Sequence, residues 1–311
     1  MIRFTVIDGW RRVLLAFGAL ALAAAAFAAI PTSEVRALFE LSQAGDSALR
    51  LPSDVAVGPD GRVYVVDSGN QRIAVFDRGG RFIKTFGRGG RAAGELLNPV
   101  GIDVGPDGRV HVADRGNRRI QTFTADGALV RSFNVVSRGQ PVTPIDVAVD
   151  AAGRTLYVTG NNNHRVMAFS PEGKLQREWG GEGVNRGEFR YPATIAVGAN
   201  GTVYVVDVFN TRVQAFAPDG GVYSAGDWGV LPGQLVRPKG VAVDRAGRIF
   251  VSDSYLDVIQ LYNSSYQFVA VLGSGGKPQR VTAAAGIALH GNRLYVAEML
   301  RHRVSVFEIS P

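Results

Sequence analysis

Asp54 and Asp146 stand two residues after Pro52 and Pro144, and each opens the same apolar stretch, "DVAV". Thr194 holds the matching place after Pro192, where Gly101, Gly240 and Gly286 stand elsewhere. Two carboxylates and a hydroxyl at one level offer oxygen ligands to a hard cation such as Ca2+, which takes about 6–8 of them. The plainer use is capping of local turns, or pairing with Lys239 across a shared opening. A second acidic series, Asp67, Asp114, Asp207 and Asp253 with Glu298, recurs at a fixed offset, with Arg72, Arg119, Arg212 and Arg303 nearby. One carboxylate per unit reads as turn chemistry, accepting backbone N–H groups and pairing with the arginine.

Other candidate chemistry thins out on inspection. His111 takes a place that tyrosine holds in other units, His164 and His302 share one turn position in distant units, and His290 lies in a different turn. Histidines so spread do not converge on a zinc ion. The segments "GRGGRAAG" and "GSGGKPQR" have the glycines of a phosphate loop, but no helical pattern follows either. They read as linkers.

The elements that must position these residues come from a repeat. "GRVYVVDSGNQRIAVF" from Gly61 returns as "GRVHVADRGNRRIQTF" from Gly108. Aligned on Pro52, Pro99, Pro144, Pro192 and Pro238, with Ala284 in the sixth place, the units step by 45 to 48 residues. That length suits a four-stranded propeller blade. Within a unit the polarity alternates with period two, and Asp-Gly and Gly-Gly pairs supply the positive φ of tight hairpins. The expected fold is all-β, a six-bladed propeller of four-stranded antiparallel blades over residues 33–311. The last unit stops after three strands, so "VRALFELSQAG" from Val35 is expected to complete it and close the ring.

Residues 34–311 resemble the NHL-repeat family, on "YVVDSGNQRI", "HVADRGNRRI", "YVTGNNNHRV" and "YVVDVFNTRV" and on the linkers "WGGEGVNRGEFRYP" and "FGRGGRAAGELLNP". The resemblance implies a six-bladed propeller that binds partners on its linker side. Relatives serve as sensor domains of bacterial receptor kinases, as RNA-binding domains, and in one case as a zinc-dependent amidating lyase. That lyase holds its metal with histidines just after the blade-opening prolines, where Ser53, Val100, Ile145, Ala193, Lys239 and Ala285 stand here. Arg115 and Tyr255 fall where it has a functional arginine and tyrosine. Without the metal ligands, lyase chemistry is not expected.

Residues 1–32 are set apart as a signal peptide or membrane anchor: Arg3, Arg11 and Arg12 precede an apolar run over 13–30, expected as a hydrophobic helix. Either reading exports the rest, to the periplasm or beyond, with or without attachment to the inner membrane. The chain has no cysteine, so disulfides and thiolate chemistry are excluded. The net charge is +7. Its excess gathers on the linkers, where Arg88, Arg91, Arg138, Arg186, Arg190 and Lys239 join Arg115, Phe209 and Tyr255 as candidate ligand-binding residues. The expectation is a non-enzymatic, monomeric binding module for a protein or an anionic envelope polymer. A metal-dependent hydrolase or lyase at Asp54, Asp146 and Thr194 is the alternative, with Ca2+ as the cofactor considered. RNA binding would suit the charge, but the export segment argues against nucleic acid.

Overall fold

The computed structural model describes residues 30–310. Among them every regular element is a strand or a short 3-10 turn, and no helix is long and apolar enough to cross a membrane. Each unit begins at its proline with an inner strand, such as Pro52–Val57, and returns through Val63–Asp67, Arg72–Phe76 and Phe82–Phe86. The first return is sharp because Gly61 adopts φ +82° and donates its N–H to the Gly58 carbonyl at 2.9 Å. Six inner strands, starting at Pro52, Pro99, Pro144, Pro192, Pro238 and Ala284, surround a central channel, each against the next and the last against the first.

Two expectations are corrected. Six separate four-stranded blades are not formed: four units make separate four-stranded sheets, and the strands of the other two run as one nine-stranded sheet. The cause is the length of the N-terminal strand, Thr32–Leu41. Its residues 35–41 pair antiparallel with Arg303–Ile309, while Thr32, Ser33 and Glu34 pair in parallel with Val271, Leu272 and Gly273. One strand thus serves two outer edges and leaves no gap between them. The N-terminal hydrophobic helix is not seen either: Ile30 and Pro31 are coil leading directly into the strand. The remainder of that expected helix lies outside the described residues.

The core lies between neighbouring sheets. Tyr64, Val66, Ile73 and Val75 of the first unit meet Ile102, Val110, Val112 and Phe123 of the second, and nearly all are fully buried. Both faces of the second and third strands are therefore covered, so a stretch such as "VYVVD" is buried throughout although its polarity alternates little.

The acidic series does what its spacing implies. Asp67 is without solvent exposure and accepts the Arg50 N–H at 2.7 Å, the Asn70 amide at 2.8 Å and Arg72 Nε at 2.7 Å. Asp114 repeats this with Leu97, Asn117 and Arg119, and Asp207 with Arg190, Asn210 and Arg212. Each carboxylate ties the incoming linker to the turn after the second strand. The third unit, with Gly160 in the acid's place, makes the tie through Asn162 Oδ1, which accepts the Thr143 N–H at 2.8 Å. We expect Asp114→Ala to cost about 3 kcal/mol, because one partner of a buried charged cluster is removed. Exposed Arg91→Ala should change stability by less than about 0.5 kcal/mol; urea unfolding of the two variants makes the comparison.

Candidate functional site

Two places in the fold gather polar groups: the channel and the linker face. The channel holds a cavity of about 190 Å3, walled by valine, alanine, isoleucine and leucine with Asp54, Asp103, Asp146 and Thr194 among them. An inner strand has one free edge, and the N–H groups on that side point at no paired strand. The three aspartates serve those groups. Asp54 accepts the N–H of Val55 and, from the next unit, of Ile102, both at 2.9 Å. Asp103 accepts from Val104 and Val149 at 2.8 Å, and Asp146 from Val147 at 2.8 Å and Ile195 at 2.9 Å. Thr194 continues the series by donating its hydroxyl to the Lys239 carbonyl at 2.6 Å. The bonds to Ile102, Val149, Ile195 and Lys239 each join one unit to the next around the ring.

Burial in this apolar wall disfavours charge. It pushes Asp54 up to about 7 and Asp103 up to about 6. Asp146 is raised well above the carboxylate range by burial and then by the charge of Asp54. Burial and the neighbouring charge thus favour a proton on Asp146. The glycines at this level now have a reason. A Cβ on Gly286 would run into Asp54 Oδ1, and one on Gly101 into Asp146 Oδ1.

The structure thus brings Asp54 and Asp146 together, with Thr194 at the same level of the wall. Among the described residues no three His, Cys, Asp or Glu side chains gather where they could hold one metal ion. Asp103 was not singled out from sequence, although the signal was there: a carboxylate inside the apolar inner strand "PVGIDV". His164 and His302 instead accept backbone N–H groups through Nδ1, from Tyr191 at 3.2 Å and Leu51 at 3.0 Å.

The linker face is built by three similar loops. In each a parallel bridge folds the linker over, at Gly89–Leu96, Glu182–Phe189 and Trp228–Leu235. Leu96, Phe189 and Leu235 are driven fully inside. Gln121, Gln214 and Gln260 reach up from the third strands to take the N–H of Gly94, Gly187 and Gly233. The residues between are left at the tips. Arg91, Arg186 and Arg190 are exposed there without a salt bridge among the described residues. Arg88 pairs with Glu95 at 2.9 Å and Arg138 with Glu178 at 2.9 Å, so part of their charge is met within the protein. Phe209 and Tyr255 project from the neighbouring turns, Phe209 with its ring edge-on to Tyr191 at 4.7 Å. Arg115 is half-buried, and its Nε is enclosed without a partner. Lys239 is half-buried, and burial with the nearby Arg237 charge lowers its pKa. Sequence reasoning missed the apolar tips Val230, Leu231 and Leu300, which carry no charge or glycine pattern to mark them.

The NHL repeat family model matches residues 49–76 and 96–123. Among solved structures, the chain resembles a catalytically inactive virginiamycin B lyase from Staphylococcus aureus with quinupristin, at 14% identity and TM-score 0.64, over 89% of this chain and 100% of that one. It also resembles a gluconolactonase from Xanthomonas campestris, at 16% identity and TM-score 0.63, over 90% and 97%. The Kuenenia stuttgartiensis hydrazine synthase shares the fold at 12% identity and TM-score 0.60, over 85% and 97%. The search of curated proteins by sequence finds no match. At such identities the likeness speaks to the fold alone.

A carboxyl whose pKa is higher in the folded state keeps its proton where the unfolded chain, with a pKa of about 3.9, has lost it. Its stabilising effect is complete below that value and is lost as pH rises toward the folded one. For Asp54 and Asp103 that window closes at about 7 and about 6. The melting temperature should fall between about pH 4 and pH 7. Asp146→Asn should make the fall shallower, and a wild-type profile flat over this range would refute the raised carboxyls. Gly286→Ala should lower the melting temperature at every pH by displacing Asp54.

Proposed function

We propose that this NHL-repeat β-propeller is a non-enzymatic binding module, exported by its N-terminal segment, whose linker face recognises a protein or an anionic cell-envelope ligand. One observation carries this reading: exposed cations without carboxylate partners lie between exposed aromatics, on loops that buried side chains hold in place. Arginine beside tyrosine, tryptophan or phenylalanine is the composition of binding hot spots, and a one-sided positive field draws anionic partners. The loops need not be ordered on binding, which removes one cost of association. The channel carboxylates, by contrast, are occupied with the backbone.

A second reading has one observation in its favour. Asp54 and Asp146 form a buried pair with raised pKa values in a cavity, the kind of arrangement that acid–base chemistry or an ion uses. Hydrolase or lyase activity there, with Ca2+ displacing carboxyl protons, predicts that added calcium raises the melting temperature. An unchanged value removes this reading.

The binding reading is tested by crosslinking in cells and pull-down, with wild type against a variant carrying Arg88, Arg186, Arg190 and Lys239 as glutamate. Because Lys239 is half-buried, a second variant changes the three arginines alone, and melting temperatures check both. A partner captured by wild type and lost from the variants supports the linker face. Equal capture by all three shows the basic face to be a solvated surface.

A further inference from the structure

The most exposed large apolar side chains are not spread over the molecule. Val184, Phe209, Trp228, Val230, Leu231, Tyr255 and Leu300 are 59% to 75% exposed, and all seven lie on turns of the fourth to sixth units or on the linkers leading into the fourth and fifth. Those on the outer strands, such as Ile83 and Val269, stop at 44%. A cluster of this kind on one side marks a surface that meets something apolar. It is held in shape: Leu235 is buried beneath the Trp228 loop, and Gln260 binds Gly233 N–H at 2.8 Å and the Gln234 carbonyl at 2.5 Å.

Three features say what it meets. First, the seven side chains stand on tips and line neither the channel nor the cavities beside the N-terminal strand, so they offer anchors without a recess for a partner's anchor. Second, exposed Arg186, Arg190 and Arg237 stand in the same sector and form no salt bridge among the described residues. Tryptophan, tyrosine and aliphatic tips between unpaired cations match a bilayer interface, where rings settle at headgroup level and cations meet lipid phosphates. Third, the apolar run over 13–30 ends two residues before the strand at Thr32. Thr32 Oγ1 accepts the Gly276 N–H at 3.2 Å, which puts the start of the described chain beside the linker between the fifth and sixth units.

We propose that the linker face of the fourth to sixth units docks on an anionic lipid bilayer, with Trp228, Leu231 and Leu300 entering the interface and Arg186, Arg190 and Arg237 contacting lipid phosphates. This rests on the linker face being the binding surface, and narrows its ligand to a lipid surface.

The test uses the full chain with Trp10→Phe and Trp179→Phe, which leaves Trp228 as the one tryptophan, in vesicles whose acyl chains are brominated. With phosphatidylglycerol the emission of Trp228 should shift to the blue and be quenched; with phosphatidylcholine both effects should be weak. Replacing Arg186, Arg190 or Arg237 by Gln should lower the docked-to-free ratio roughly fivefold each, the effect of one basic residue at an anionic leaflet. Leu231→Ser, at an exposed tip that does not support the fold, should lower it further in phosphatidylglycerol. Trp228 left unquenched there, at unchanged melting temperature, overturns the inference. If crosslinking still captures a protein on this face, the binding reading survives and the lipid does not. If Trp228 is already shielded without vesicles in a species that sediments as a dimer, a second copy is the occupant and the inference falls. If neither lipid nor protein contact depends on these residues, both readings fall.

Discussion

A carboxylate with no exposure to water closes the second strand in five of the repeats, as Asp67, Asp114, Asp207, Asp253 and Glu298. A bare charge there would be costly, so each oxygen must be met by donors. At Asp67, Asp114 and Asp207 the donors come from three directions, the N–H of the arriving linker, the turn asparagine and an arginine on the third strand; Asp253 is met by backbone N–H groups of the linker and turn, and Glu298 by the linker N–H, Arg303 and Ser305. Once these are in place the linker has one path, and the inner strand that follows it starts at a set level. The ring of inner strands, the channel and the loop tips all inherit their positions from this contact.

The same requirement recurs inside the ring with a different result. There the unpaired groups are the N–H edges of the inner strands, and the acceptors Asp54, Asp103 and Asp146 have no arginine to balance them. Burial, joined at Asp146 by the charge of Asp54, pushes these carboxyls toward the protonated form. A clamp between neighbouring units is thereby made sensitive to pH. The channel is a structural seam first, and its chemistry follows from that role.

On the linker face the structure spends no such effort. Leu96, Phe189 and Leu235 bury the loop bases and glutamines satisfy the backbone, but the tips are left with bare arginines and apolar side chains. Side chains that contribute nothing to the fold are free to serve a partner, and they are concentrated on one side. The N-terminal strand adds a second asymmetry, because it joins the last two units into one sheet while the other four stay separate. The fifth and sixth units are thus joined by a shared strand, and they carry Tyr255 and Leu300.

Much of this was legible in the amino-acid sequence, because repetition is a local property. The proline spacing, the period-two strands and the glycine turns announce a propeller unit by unit, and the Asp–Asn–Arg spacing announces the clamp, since all its parts except the linker N–H lie within five residues. What crosses from unit to unit was not legible. The count of separate sheets depended on Thr32–Glu34 pairing with Val271–Gly273, a parallel contact between residues more than two hundred positions apart that no local pattern encodes. Asp103 gained its meaning from Val149 of the next unit, and Gly286 from the carboxylate of Asp54. The apolar tips became a surface only when three turns and two linkers were brought to one side. Local backbone preference and short-range hydrogen bonds determined the blades; the closure of the ring, which sets distant residues side by side, decided the site.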